Sequence, residues 1–304
     1  GSFCRSLVLR PFCLLPALTV YVMPTKAAKI SVEVWEAGGV LLEHYAYIPG
    51  AVEPLPKHAH AEYQFGLSFD CQGEYAYRGS RHVIPPGRLS IIHSGEVHAP
   101  SDRTFLPTPA HFGMAHIAPE WLQRVAAEVS PQLTGMPFFP ETVITDPTAN
   151  RLYLALQAVI HQPTAQLARD TALWEFLTYA IAHHTESRSP MAATPAVPAA
   201  VERARDYLHT DYARDISLAE LAAIAGLSRF HFCRVFGKAV GVSPSLYQTQ
   251  LRIAQARRLL AQGLSIATVA TLTGFYDQSH FGYHFKRQVG TTPGNYVSQA
   301  AISS

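Results

Sequence analysis

Apolar and polar positions change their period part-way along this chain. From Ile30 to about Ile117 they fall in short runs broken by Gly and Pro: Ile30–Trp35, Val40–Ile48, Glu62–Phe69, Glu74–Tyr77, Leu89–Ile92 and His111–Ile117. Such β-type runs predict strands, and their spacing predicts a small antiparallel barrel or sandwich. After Pro119 apolar residues recur three and four apart, which predicts helices over Glu120–Val129, Thr148–His161 and Gln166–His184. The stripe of Leu152, Leu156 and Val159, with Leu173, Phe176, Leu177 and Ile181, is expected to pack on the barrel, a second subunit being the alternative. Residues 186–198 carry three prolines among small residues and are expected to be an interdomain linker. The expected architecture is α+β and multidomain: a β-barrel with following helices over 23–185, then an all-α domain over 199–304.

Beyond residue 199 the pattern repeats. Aligning His231–Tyr247 on His280–Tyr296 gives a constant offset of 49, and seven positions are identical, among them Phe232/Phe281, Phe236/Phe285, Gly241/Gly290 and Pro244/Pro293. Upstream the offset is 48, pairing Ser217 with Ser265 and Gly226 with Gly274, so the second copy has one residue added in its turn. Each copy has the anatomy of a helix-turn-helix. Ser217 with Glu220 forms a capping box, Gly226 suits a left-handed helix end, and Ser228 can cap the next helix; Ser265, Gly274 and Asp277 take those roles in the second copy. A helix over Pro244–Gln262 joins the two, with Leu246, Leu251, Ala254, Leu259 and Leu260 available to bind them together. A rigid spacer suits two units to successive major grooves, which recur every ~34 Å along B-DNA.

Charge supports a polyanionic partner for this half only. Residues 1–198 hold 13 basic and 16 acidic residues, while 199–304 hold 11 and 6; from Gly226 onward eight basic residues face one acid, Asp277. The four repeat phenylalanines are core residues. DNA contact is assigned to the polar outer face of each second helix: Arg229, Phe230, Cys233, Arg234 and Lys238, then Gln278, Ser279, Gly282, Tyr283 and Lys286. Arg can take guanine and Gln adenine bidentately, while Lys suits phosphate. With 48% hydrophobic and 15% charged residues the composition is ordinarily globular. The cysteines Cys4, Cys13, Cys71 and Cys233 lack metal-type spacing and are too few for a disulfide scaffold, in keeping with a reducing cytoplasm. The apolar stretch Phe12–Val22 superficially resembles a signal peptide but is too short to span a bilayer, so residues 1–22 are expected to be a non-core extension.

Leu-Ala-x-x-Ala-Gly-Leu-Ser, Phe-x-Arg-x-Phe and Gly-Phe-x-Asp-Gln-Ser-His-Phe-x-x-x-Phe-Lys-x-x-x-Gly-x-x-Pro-x-x-Tyr make residues 199–299 resemble the DNA-binding domain of AraC-type bacterial transcription regulators. The resemblance implies base reading by Phe230, Cys233 and Arg234 in the first unit and by Gln278, Ser279, Gly282 and Tyr283 in the second. Tyr283 stands where the family often has Arg, which points to readout by shape or phosphate in the second unit.

Chemistry at the other end rests on a histidine stripe. If the strand runs in register, His58, His60, Glu62 and Gln64 share a face, and His98 can join them across the sheet. Gly87–Asp102 resembles the second cupin motif, with His93 for Pro and Asp102 for Asn; His58-x-His60 matches the first only in part, because Gln64 replaces the usual Glu. The resemblance implies a cupin-like sensor domain holding a small-molecule effector through His58, His60, Glu62, Gln64 and His98. His58, His60 and His98 can alternatively hold a divalent metal, though the missing carboxylate favours plain hydrogen bonding and no cofactor is required. His44, His82, His111, His116, His161, His183 and His184 lack ligand spacing and are given no role. The expected function is effector-controlled, sequence-specific transcription regulation by a cytoplasmic homodimer on promoter DNA, with RNA polymerase contact and no membrane or catalytic role. The other reading is a metal-dependent cupin enzyme with an accessory helical domain.

Overall fold

The computed structural model describes residues 30–129, 135–161, 166–186 and 198–297. The extension over 1–22 and most of the expected linker, 187–197, lie outside them. β1 (Ile30–Ala37) and β2 (Val40–Tyr47) form a hairpin turned at Gly38 and Gly39, both at positive φ. There follow β3 (Gly50–Ala51), β4 (Tyr63–Ser68), β5 (Gly73–Tyr77), β6 (Ser80–Ile84), β7 (Leu89–Ile92), β8 (His98–Pro100), β9 (Phe105–Leu106) and β10 (Ala110–Ile117). α1 (Pro119–Val129), β11 (Val143–Ile144), α2 (Pro147–His161) and α3 (Gln166–His184) complete this half. The strands form one antiparallel sheet in the order β1-β2-β10-β4-β7-β11, a second in the order β6-β5-β8, and a pair β3-β9. All six expected strands are present. β3, β8, β9 and β11 are too short to show alternation, and β6 is an edge strand with too little apolar character.

The helical stripe packs inward. Leu156, Leu173, Phe176, Leu177 and Ile181 are buried in one cluster with Phe65, Leu67 and Ile91 of the sheet, and Leu152 and Val159 pack against it. Burying five such side chains at roughly 1.5–3 kcal/mol each is a sufficient reason for α2 and α3 to stay on the barrel.

The C-terminal half is all helical: α4 (Ala199–Asp211), α5 (Leu218–Ala225), α6 (Arg229–Val240), α7 (Pro244–Ala261), α8 (Ile266–Leu272), α9 (Gln278–Val289) and α10 (Pro293–Val297). Ser217, Ser228, Ser243, Ser265 and Asp277 each accept a backbone N–H three residues on, so every helix from α5 to α9 has a side-chain cap. The Ser217 box is half formed. Glu220 is drawn away by the Tyr207 hydroxyl and Arg214, and does not return to the cap. Gly274 (φ +77) cannot carry a side chain, since a Cβ there would run into the Ala213 carbonyl oxygen. The extra residue of the second turn is Tyr276, 92% exposed.

The two repeats bury their matching phenylalanines in different cores. Phe232 and Phe236 lie with Val201, Leu208, Leu221 and Tyr247, all from the helical domain. Phe281 and Phe285 lie in a cluster that also contains Val32, Val34, Leu41 and Tyr45 of β1 and β2. Among the described residues no helix is long and apolar enough to cross a membrane.

Candidate functional site

The outer faces of α6 and α9 are open. Arg229, Phe230, Cys233, Arg234 and Lys238 are exposed on α6, Phe230 at 81%. On α9, Gln278, Ser279, Tyr283 and Lys286 are exposed and Gly282 is half-buried. Tyr283 is held along the helix by Arg287, whose Nη1 donates to its hydroxyl at 3.1 Å. Among the described residues Arg234 has only a 3.5 Å contact to His231, one turn back, so its guanidinium remains available to a base edge.

The opposite face of the helical domain is pressed onto the barrel by α7. Arg257 donates through Nε to Glu43 Oε1 at 2.7 Å and through Nη2 to Oε2, while Tyr45 (3.0 Å) and Tyr296 donate to the same carboxylate. Glu43 is fully buried. Burial alone would raise its pKa, but the Arg257 guanidinium holds it well below the carboxylate range. Arg258 donates to Glu62 Oε1 at 3.2 and 2.8 Å, and buried Gln250 bridges the backbone of Lys57 and Ala59. The contacts made by Gln250, Arg257, Arg258 and Tyr296 each join residues about two hundred or more positions apart, which is why strand and helix periodicity gave no sign of them.

Beside this seam lies a cavity of about 270 Å³. Its barrel walls include Tyr45, Phe112, His58, Gln64, His98 and His116, and the helical domain contributes Arg257, Gln288 and Val289. Of the expected effector residues, His58, Gln64 and His98 line it; His60 and Glu62 do not. The expected shared face of residues 58–64 is not formed, because β4 begins only at Tyr63 and Glu62 turns to Arg258. His93 and Asp102, at the altered cupin positions, are structural: His93 bonds the Tyr77 hydroxyl (2.9 Å) and the Phe139 N–H (2.9 Å), and Asp102 pairs with Arg81.

Four imidazoles lie in a row of tilted and edge-on contacts, and three of them, His58, His98 and His116, line the cavity. Ring centroids are 4.3 Å apart for His58 and His98, 4.9 Å for His98 and His60, and 5.2 Å for His60 and His116. Burial drives all four pKa values down, that of His58 to about 4, so each ring is neutral near pH 7. His116, given no role from spacing, belongs here because β10 pairs with β4 and sets it opposite Gln64.

Comparison with known proteins agrees with both halves. A model described as an AraC-like ligand binding domain matches residues 51–177, and one described as a helix-turn-helix domain matches 221–299. The chain belongs to the AraC family of transcription regulators. It is a DNA-binding regulator with a ligand-binding N-terminal domain, as the AraC-type resemblance implied. A Bacillus subtilis relative, described as an uncharacterized HTH-type transcriptional regulator, YbfI, is 27% identical over 79% of this chain and 85% of its own. Similarity to the virulence regulon transcriptional activator VirF of Yersinia enterocolitica is 32% identity over 34% of this chain and 36% of VirF. ToxT of Vibrio cholerae, solved with an unsaturated fatty acid bound, shares the fold with a TM-score of 0.56 at 10% identity, covering 91% of this chain and 97% of ToxT.

Proposed function

We propose that this AraC-family regulator senses an effector in the seam cavity and converts its binding into a change in posture of the second helix-turn-helix. The observation that carries the reading is the shared wall: one ligand would touch Phe112 and His98 of the barrel and Gln288 and Val289 at the end of α9. A ligand that contacts both domains has differential affinity for their relative positions, which is what a population shift needs. The cavity suits a small effector with an apolar body against Tyr45 and Phe112 and a polar end among His58, His98 and Gln64. ToxT, with its fatty acid, is a precedent for an apolar body.

Homodimerisation through the N-terminal half, contact with RNA polymerase, a cytoplasmic location and absence of catalysis complete the reading. Selection of bound genomic fragments would give the operator and, through its neighbouring genes, candidate effectors. Phe112→Trp should then fill the cavity, leaving operator affinity without effector unchanged and removing the response. A response that survives this substitution would place the sensor elsewhere.

A further inference from the structure

The cupin positions His58, His60 and His98 do not converge with a carboxylate. A different set does: one ligand atom each from His60, Glu62 and His116 lies within 4.8 Å of the other two. His60 is 6% exposed and His116 2%, and His60 Nε2 and His116 Nδ1 are both buried with no hydrogen-bond partner among the described residues. His60 Nδ1 lies 2.8 Å from the Glu62 carbonyl, which can only accept, so Nδ1 carries the proton and Nε2 is a lone pair. A buried lone pair without a donor is costly unless something fills it.

We infer that His60, Glu62 and His116 form a zinc-class divalent metal site at the interdomain seam, and that filling it loosens the grip of α7 on the barrel. Two neutral imidazoles and a carboxylate suit such an ion and leave a position open to water or an effector. Donors around a tetrahedral ion stand about 3.3 Å apart, so the three side chains must draw together on loading.

The link to α7 runs through His116. Arg257 Nη2 now donates to His116 Nε2 at 2.8 Å, so the proton of that ring sits on Nδ1. For Nδ1 to ligate, the proton must move to Nε2, where Glu43 Oε2, 3.5 Å away, can accept it as the outer carboxylate of a carboxylate–histidine–metal triad. Arg257 thereby loses one acceptor and shares another. Loading also draws on Glu62, the partner of Arg258, and sets a dication beside both guanidinium groups.

The second half of this inference rests on the reading of the seam as a relay, and the experiment separates the two. The full-length protein is titrated with Co²⁺, followed by its visible ligand-field bands, and with Zn²⁺ by calorimetry; hydrogen exchange across α7 is measured with and without metal. One ion per chain, four- or five-coordinate bands and faster exchange in α7 are expected. His60→Gln and Glu62→Gln should each weaken binding about tenfold or more, as His116→Gln should if it folds, whereas His58→Gln and His98→Gln should leave it within about twofold. Absence of stoichiometric binding by the wild-type protein, or binding that depends on His58 and His98, overturns the site. Binding with unchanged α7 exchange overturns the competition. If α7 loosens but operator affinity does not respond, the relay fails and the metal site stands.

Discussion

The two helix-turn-helix units share seven identical residues at one offset, yet they stand in different relations to the sensor. The first closes its core with α4 and α7 and meets the barrel chiefly through Val97, which packs at its edge. The second has no such closed core: Val32, Val34, Leu41 and Tyr45 of the barrel fill the space around Phe281 and Phe285. Sequence identity between repeats therefore fixes the local fold but not the response. The first unit presents two exposed arginines, Arg229 and Arg234, on the outer face of α6. The second is continuous with the domain that binds the effector, and the cavity ends on its Val289.

The largest effect should come from Arg257→Ala. It leaves Glu43 buried and uncompensated, and should cost about 3–5 kcal/mol in denaturant unfolding, while replacing both partners by Met and Leu should restore most of that. A loss below about 1 kcal/mol would show that the seam is not closed in solution. Next, Arg234→Ala should lose roughly 1–3 kcal/mol of operator affinity and relax specificity at one base position, whereas Gln278→Ala should lose less. Equal losses at both positions would remove the distinction between reader and coupled unit. Removing the caps Ser228 and Asp277 by Ala should each cost about 1 kcal/mol. Asp277→Ala should also perturb the barrel, as seen by hydrogen exchange of β1 and β2, and Ser228→Ala should not. The smallest change belongs to Lys286→Ala, which should weaken DNA binding evenly across sequences and reduce the salt slope by about one unit.

What could be read from the sequence was local. Caps at Ser217, Ser228, Ser265 and Asp277, and the left-handed Gly226, act within a few residues, and the repeat let each copy confirm the other. The longer strands were visible apart from β6, whose Ser-Arg-His-Val-Ile run is too polar, and the two- and three-residue strands were not. The seam was hidden for a physical reason. Glu43 and Arg257 are charged and so would be placed at the surface by pattern; Glu43 is fully buried and Arg257 largely covered because they meet each other across 214 residues. His116 was missed for a related reason: it joins the histidine cluster by pairing of β10 with β4, a relation that no spacing along the chain encodes. Glu62 was assigned to the cavity on an alternation that does not extend back beyond Tyr63.

The most direct measurement is amide hydrogen exchange over the full-length protein carrying Phe281→Leu or Phe232→Leu. Each should loosen its own unit. Phe281→Leu should also speed exchange in β1 and β2, because those strands complete the second core, while Phe232→Leu leaves them at wild-type protection. Barrel protection unchanged by Phe281→Leu, or reduced equally by both substitutions, would contradict the coupling of the second unit to the sensor.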